Sequence, residues 1–124
     1  MGAAVWTPED VVREGIHLFN DEFFFEAHEV LEDLWRSERG EPRLFLQGLI
    51  QIAAAFVHLQ NGNLASTLSL LGRGADKMRP YPSSYLGIDV AGLLSEADGV
   101  KAGIEAGTIR GPDGFRFPRI RGEL

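Results

Sequence analysis

The chain has 124 residues, no cysteine and a formal net charge of −6. That length fits one domain with a core of its own. The missing cysteines exclude disulfides, Cys-ligated zinc and thiol catalysis and fit a cytoplasmic protein. An acidic chain is also a poor candidate for nucleic acid, which is bound by neutralising phosphates.

Met1 to Trp6 show neither the basic nor the apolar region of a signal peptide. Thr7-Pro8-Glu9-Asp10 reads as a helix start: Thr7 as N-cap, Pro8 in the first turn, and two acids at the positive end of the dipole. Val12, Ile16 and Phe19 give the first helix its apolar face, with His17 pointing away. Asn20 or Asp21 is expected to cap a second helix that runs to about Glu38. Gly40 and Pro42 break the chain before a third helix, from about Pro42 to Asn61, with Gly62 as its stop. Asn63 is expected to cap a fourth helix with the stripe Leu64, Leu68, Leu71, Ala75 and Met78, ended by Pro80 and Pro82. Asp89 is expected to cap a fifth, with Val90, Leu93, Leu94, Ala97 and Ile104 inward.

The expected fold is all-α. It is a compact array of about five helices, with a helical core over 6–106 and a Gly- and Arg-rich tail over 107–124 extended along the surface. Only the short piece Phe115-Arg116-Phe117 alternates with the period of a strand. The Gly62-Asn63 turn implies that helices three and four form an antiparallel hairpin, but no fixed-period repeat supports a solenoid. The run Leu44 to Leu59 is interrupted by Gln47, Gln51 and His58, which argues for a buried helix and against a bilayer span.

The chemistry concentrates on helices two and three. On a helical wheel Phe24, Ala27, Leu31, Leu34 and Trp35 cluster on one side of helix two. His28 and Glu32 fall at the border of that side, and Glu29 faces solvent. Helix three is apolar almost all round, yet Gln47, Gln51 and His58 share one narrow stripe, with Ala54 and Ala55 on or beside it. Buried polar groups need partners, so the two helices are expected to pack with His28 and Glu32 facing Gln47, Gln51 and His58. Small residues at 54 and 55 would permit close approach.

Two readings follow. In one, the cluster is a structural network, with Glu32 accepting from Gln47 or Gln51, or pairing with Arg36 one turn on. In the other it is a pocket for a small molecule or a divalent metal. His28, Glu32 and His58 would be the metal ligands, a set suited to zinc or iron. A hydrolytic role for the pocket stays open, with a histidine or Glu32 as base. His-Glu-x-x-Glu lacks the second histidine of a zincin motif. Of the two Glu-x-x-His motifs a di-iron bundle needs, only Glu14 to His17 is present, on a polar face. Gly72-Arg73-Gly74 lies within a helical pattern and is no nucleotide loop, and there is no Gly-x-Ser-x-Gly elbow. Phe25 leans outward and, with Phe115, is a candidate contact for a second copy or another protein. In the tail, Arg110, Arg116, Arg119 and Arg121 alternate with apolar residues. They read as wet arginines on a docked segment rather than as a single-strand binder.

Three motifs resemble a known family: Phe24-Phe25-Glu26-Ala27-His28-Glu29-x-Leu31-Glu32-x-x-Trp35, Leu46-Gln47-Gly48-Leu49-Ile50-Gln51-x-Ala53-Ala54-Ala55-x-x-His58-x-x-x-Gly62-Asn63, and Leu86-Gly87-Ile88-Asp89-Val90. The family is the set of small bacterial and archaeal helical proteins grouped as domain of unknown function 309. The resemblance spans about residues 12 to 97 and implies an array of about five helices, without supplying a reaction. Many members carry Gly near position 22, where this chain has Glu22. The family motifs also take in His28, Glu29, Glu32, Trp35, Gln47, Gln51 and His58, the candidate pocket residues.

Overall fold

A computed structural model describes residues 7–122. Expectations for Met1 to Trp6 and for the last two residues lie outside the described residues. Among those described, five helices and one tiny sheet form the fold, which is all-α in class.

Helix α1 (Pro8–Asn20) opens on the expected cap. Thr7 Oγ1 accepts from the Asp10 N–H at 3.2 Å, and Asp10 returns a carboxylate oxygen to the Thr7 N–H at 3.0 Å. That backbone hydrogen bond, followed by the one to the Thr7 side chain, holds the Asp10 carboxyl below its ordinary 3.8.

Helix α2 (Phe24–Ser37) departs from expectation, because its N-cap is Phe23 and no side chain caps it. The entry is fixed instead by the end of α1. The Phe23 N–H donates to Leu18 O at 2.8 Å and the Glu22 N–H to Phe19 O at 2.9 Å, the paired bonds of a Schellman motif. Glu22 occupies its left-handed position, with φ +66°. The same motif closes α3 (Pro42–Gln60), where Asn63 donates to His58 O and Gly62 to Leu59 O, and Gly62 takes φ +76°. Two equivalent turns thus use a glycine in one case and a glutamate in the other.

Helix α3 starts without a side-chain cap. The Tyr81 hydroxyl compensates, accepting from the Phe45 N–H at 3.1 Å and donating to Glu41 O at 2.6 Å. Ten α3 residues are buried, as an apolar central helix requires. The run expected to be a buried helix is one. Helix α3 is 19 residues long with mean hydropathy 1.3, enough by length and composition to cross a bilayer, but 56% of it is buried inside the fold. Packing, rather than the three polar residues, therefore marks it as a core helix.

Helix α4 (Leu64–Met78) is capped by Asn63, whose side chain accepts from the Ser66 N–H. It crosses α3 at two glycines. A Cβ on Gly48 would lie 2.7 Å from Gly74 O, and one on Gly74 would lie 2.6 Å from Gly48 O. These glycines, rather than Ala54 and Ala55, set the closest approach of α3 to a neighbour. Strands β1 (Ser84–Tyr85) and β2 (Ile88–Asp89) form an antiparallel pair that period-two reading missed, since two residues show no alternation. Asp89 then caps α5 (Val90–Glu105) through the Gly92 N–H.

The tail is docked on the helices. Asn20 Nδ2 donates to Ile120 O at 2.9 Å, and the Ile120 N–H donates to Asn20 Oδ1 at 2.7 Å. The Asp89 N–H donates to Arg121 O. Phe117 packs on Phe24 and Phe56 at centroid distances of 5.1 and 5.7 Å. The four tail arginines stay exposed. Asn20, expected as a helix cap, is spent on this long-range clamp.

Candidate functional site

Helices α2 and α3 run antiparallel, tied at both ends. Arg43 Nη1 donates to Trp35 O at 2.7 Å and to Glu38 O at 2.8 Å, while Gln60 Nε2 donates to Glu22 O at 3.1 Å. This register sets Trp35 beside the start of α3 and His28 further along it. Between them, with α4 as the third wall, lies a cavity of about 250 Å³. His28, Glu32 and Trp35 line it from α2, and Gln47 and Gln51 from α3. Ile50, Ala54 and Leu70 supply an apolar wall.

The border position of His28 and Glu32 leaves their side chains 26% and 32% exposed. Glu32 accepts from Arg36 Nη2 at 2.7 Å and faces His28 Nε2 at 3.5 Å. Arg36 also donates to Asp33 at 2.8 Å. With Nε2 facing the Glu32 carboxylate, Nδ1 is the ring nitrogen left without a protein partner. That Nδ1 is buried and has no hydrogen-bond partner. The same is true of Trp35 Nε1, which can only donate. The Trp35 ring is held by the Arg43 guanidinium, 4.0 Å from its centroid. The His28 ring stacks on Phe25 at 6.0 Å between centroids. Both unpartnered atoms thus belong to positioned rings, and each costs about 1–3 kcal/mol while it stays unpaired.

The structural network foreseen for the glutamines is not what forms. Among the described residues neither Gln47 nor Gln51 bonds Glu32. Gln51 Oε1 accepts from Lys77 Nζ at 2.9 Å. The pairing of Glu32 with Arg36 does form.

His58 does not join the cavity. It lies seven residues beyond Gln51 on the same helix, about 10 Å further along the axis. No group of three or more His, Cys, Asp or Glu side chains is placed to hold a metal ion among the described residues. The trio His28, Glu32 and His58 is therefore not assembled, and the expected metal site is corrected to a two-residue pair. Glu29 is exposed and outside the lining. Sequence reasoning missed Leu70, which lines the cavity from α4, and Lys77, which reaches Gln51 from the same helix.

Residues 12–70 match the family described as "Domain of unknown function (DUF309)". This segment belongs to DUF309. The DUF309 match is shorter than the resemblance read from the motifs, yet it contains every residue that lines the cavity. Lys77, α5 and the docked tail lie beyond it. An "Uncharacterized protein" of Aquifex aeolicus (strain VF5) is 27% identical over 96 residues, which cover 74% of this chain. The match covers 29% of that protein's length.

Proposed function

We propose that this chain binds a small molecule in the cavity between α2, α3 and α4. One observation carries the reading: two buried polar atoms, His28 Nδ1 and Trp35 Nε1, have no partner and sit on residues that line one cavity. Buried polar atoms in folded proteins are nearly always paired, and two unpaired ones on the same wall are what a bound ligand would satisfy. Glu32 faces the Nε2 side of His28, which leaves Nδ1 as the ring atom a ligand would pair. The same geometry extends the site to general-base chemistry on such a ligand. The cytoplasmic setting expected from the cysteine-free composition belongs to this proposal.

The test is a titration of ¹⁵N-labelled protein with a panel of anionic, neutral and cationic fragments, read at the indole N–H of Trp35. The chain has two tryptophans, and the Trp35→Phe spectrum assigns the signal. Saturable movement of that signal by at least one fragment is expected. A panel that leaves it unmoved at millimolar concentration would overturn the reading.

A second reading has its own support. Phe23 and Phe25 are 53% and 54% exposed at the start of α2, and exposed aromatics often mark protein contacts. Under this reading they form a contact with a second copy or a partner. Sedimentation of wild type against Phe25→Ser would show a shift toward smaller species.

A further inference from the structure

The cavity is not chemically symmetric. Part of it collects hydrogen-bond donors. The Trp35 Nε1–H is unpartnered. Lys77 reaches Gln51 from α4 with its ammonium, which carries three donors and gives one to Gln51 Oε1. An ammonium can donate only to the oxygen of an amide. That bond therefore fixes the Gln51 side chain with its NH₂ as the end left for a ligand. Among the described residues Lys77 enters no ion pair. The acid that lines the cavity, Glu32, is already held by Arg36 at 2.7 Å and faces His28. The guanidinium of Arg43 lies against the Trp35 ring. Trp35 Nε1 and the Gln51 NH₂ thus offer donors, with the Lys77 ammonium beside Gln51, while Ile50, Ala54 and Leu70 offer an apolar wall.

We infer that the ligand of this cavity is a small organic carboxylate. Its charged group takes hydrogen bonds from Trp35 Nε1, Gln51 Nε2 and Lys77, and its hydrocarbon body lies on Ile50, Ala54 and Leu70. One lysine with two neutral donors matches a single negative charge. A phosphate dianion would need more cations and would meet the Glu32 carboxylate in the same small space. The inference rests on the cavity being a binding site and goes beyond it by naming the ligand's chemistry.

The test uses benzoate, benzamide and inorganic phosphate as probes, read at the Trp35 indole N–H of the full chain. Benzoate is expected to bind saturably, with benzamide and phosphate each at least about tenfold weaker, the size of one charge-assisted hydrogen bond. Lys77→Met, which keeps the side chain's length and apolar stem, is expected to weaken benzoate about tenfold and benzamide by clearly less. Lys77→Arg is expected to retain benzoate binding. A dispersed amide spectrum for each variant shows that it folds. Benzamide as tight as benzoate, phosphate tighter than benzoate, or benzoate indifferent to Lys77→Met would each overturn the carboxylate while other fragments still bound the cavity. Silence of all three probes while neutral fragments bind would overturn it too. Silence of the whole fragment panel would instead overturn the binding reading beneath it.

Discussion

Asn20 and His28 are both half-buried polar side chains near the surface of a helix, and they end differently. Asn20 finds a donor and an acceptor on one residue, Ile120, and both bonds are short. His28 reaches Glu32 at the limit of bonding distance and leaves its other nitrogen, like that of Trp35, without a partner. At Asn20 the fold pairs both ends of the amide across 100 positions of sequence. The incompleteness at His28 and Trp35 is local to one cavity, which is why it speaks for a ligand.

The contrast can be broken first at Asn20. Asn20→Ala strands both backbone groups of Ile120 and should cost about 2 kcal/mol in urea denaturation. Fragment binding read at Trp35 should stay within about twofold of wild type, as expected of distant, independent sites. A large binding defect would mean that the clamp and the cavity are not separate.

His28→Phe sharpens the other side. It removes the unpartnered Nδ1, keeps a ring beside Phe25, and leaves Glu32 bonded to Arg36. Stability of the free protein should hold or rise by up to about 1 kcal/mol, while fragments that pair with His28 lose affinity. A loss of more than about 1 kcal/mol would show that His28 is a structural residue like Asn20.

The two Schellman turns supply a smaller and independent effect. Glu22 holds the position that Gly62 holds at the end of α3, at a left-handed φ that costs a side chain energy. Glu22→Gly should stabilise by about 0.5 kcal/mol by thermal unfolding; a loss of stability would mean that Glu22 makes a contact worth more than its strain. The smallest effect lies at Asp10. Its carboxyl is held below the ordinary 3.8 in the folded state by the Thr7 N–H. The cap's contribution is therefore present above pH 3.8 and lost as pH falls through the lower folded value. Exchange of the first-turn amides of α1 should quicken in that acid window, and Asp10→Asn should abolish the pH dependence.

What could be read in the sequence follows how local each cause is. The caps at Thr7, Asn63 and Asp89 need only their own first turns, and all three form as expected. The cavity wall of His28, Glu32, Gln47 and Gln51 followed from helical periodicity, because a border position on an apolar helix fixes partial burial. The rest depends on partners far away in sequence. Nothing around Asn20 points to Ile120, nothing around Gly48 points to Gly74, and nothing around Gln51 points to Lys77. His58 misled for a related reason: a shared stripe says which way residues face and not how far apart they lie along the axis. Family likeness also carried less than periodicity, since the motifs took in Glu29, which the helical wheel turns to solvent and the cavity leaves out.

The most direct measurement is a crystal structure of the protein soaked with its tightest fragment. The account predicts fragment atoms within hydrogen-bonding distance of Trp35 Nε1 or His28 Nδ1, between α2, α3 and α4. A fragment bound elsewhere, for example on Phe23 and Phe25, or a closed cavity with both nitrogens bonded to protein groups, would contradict it.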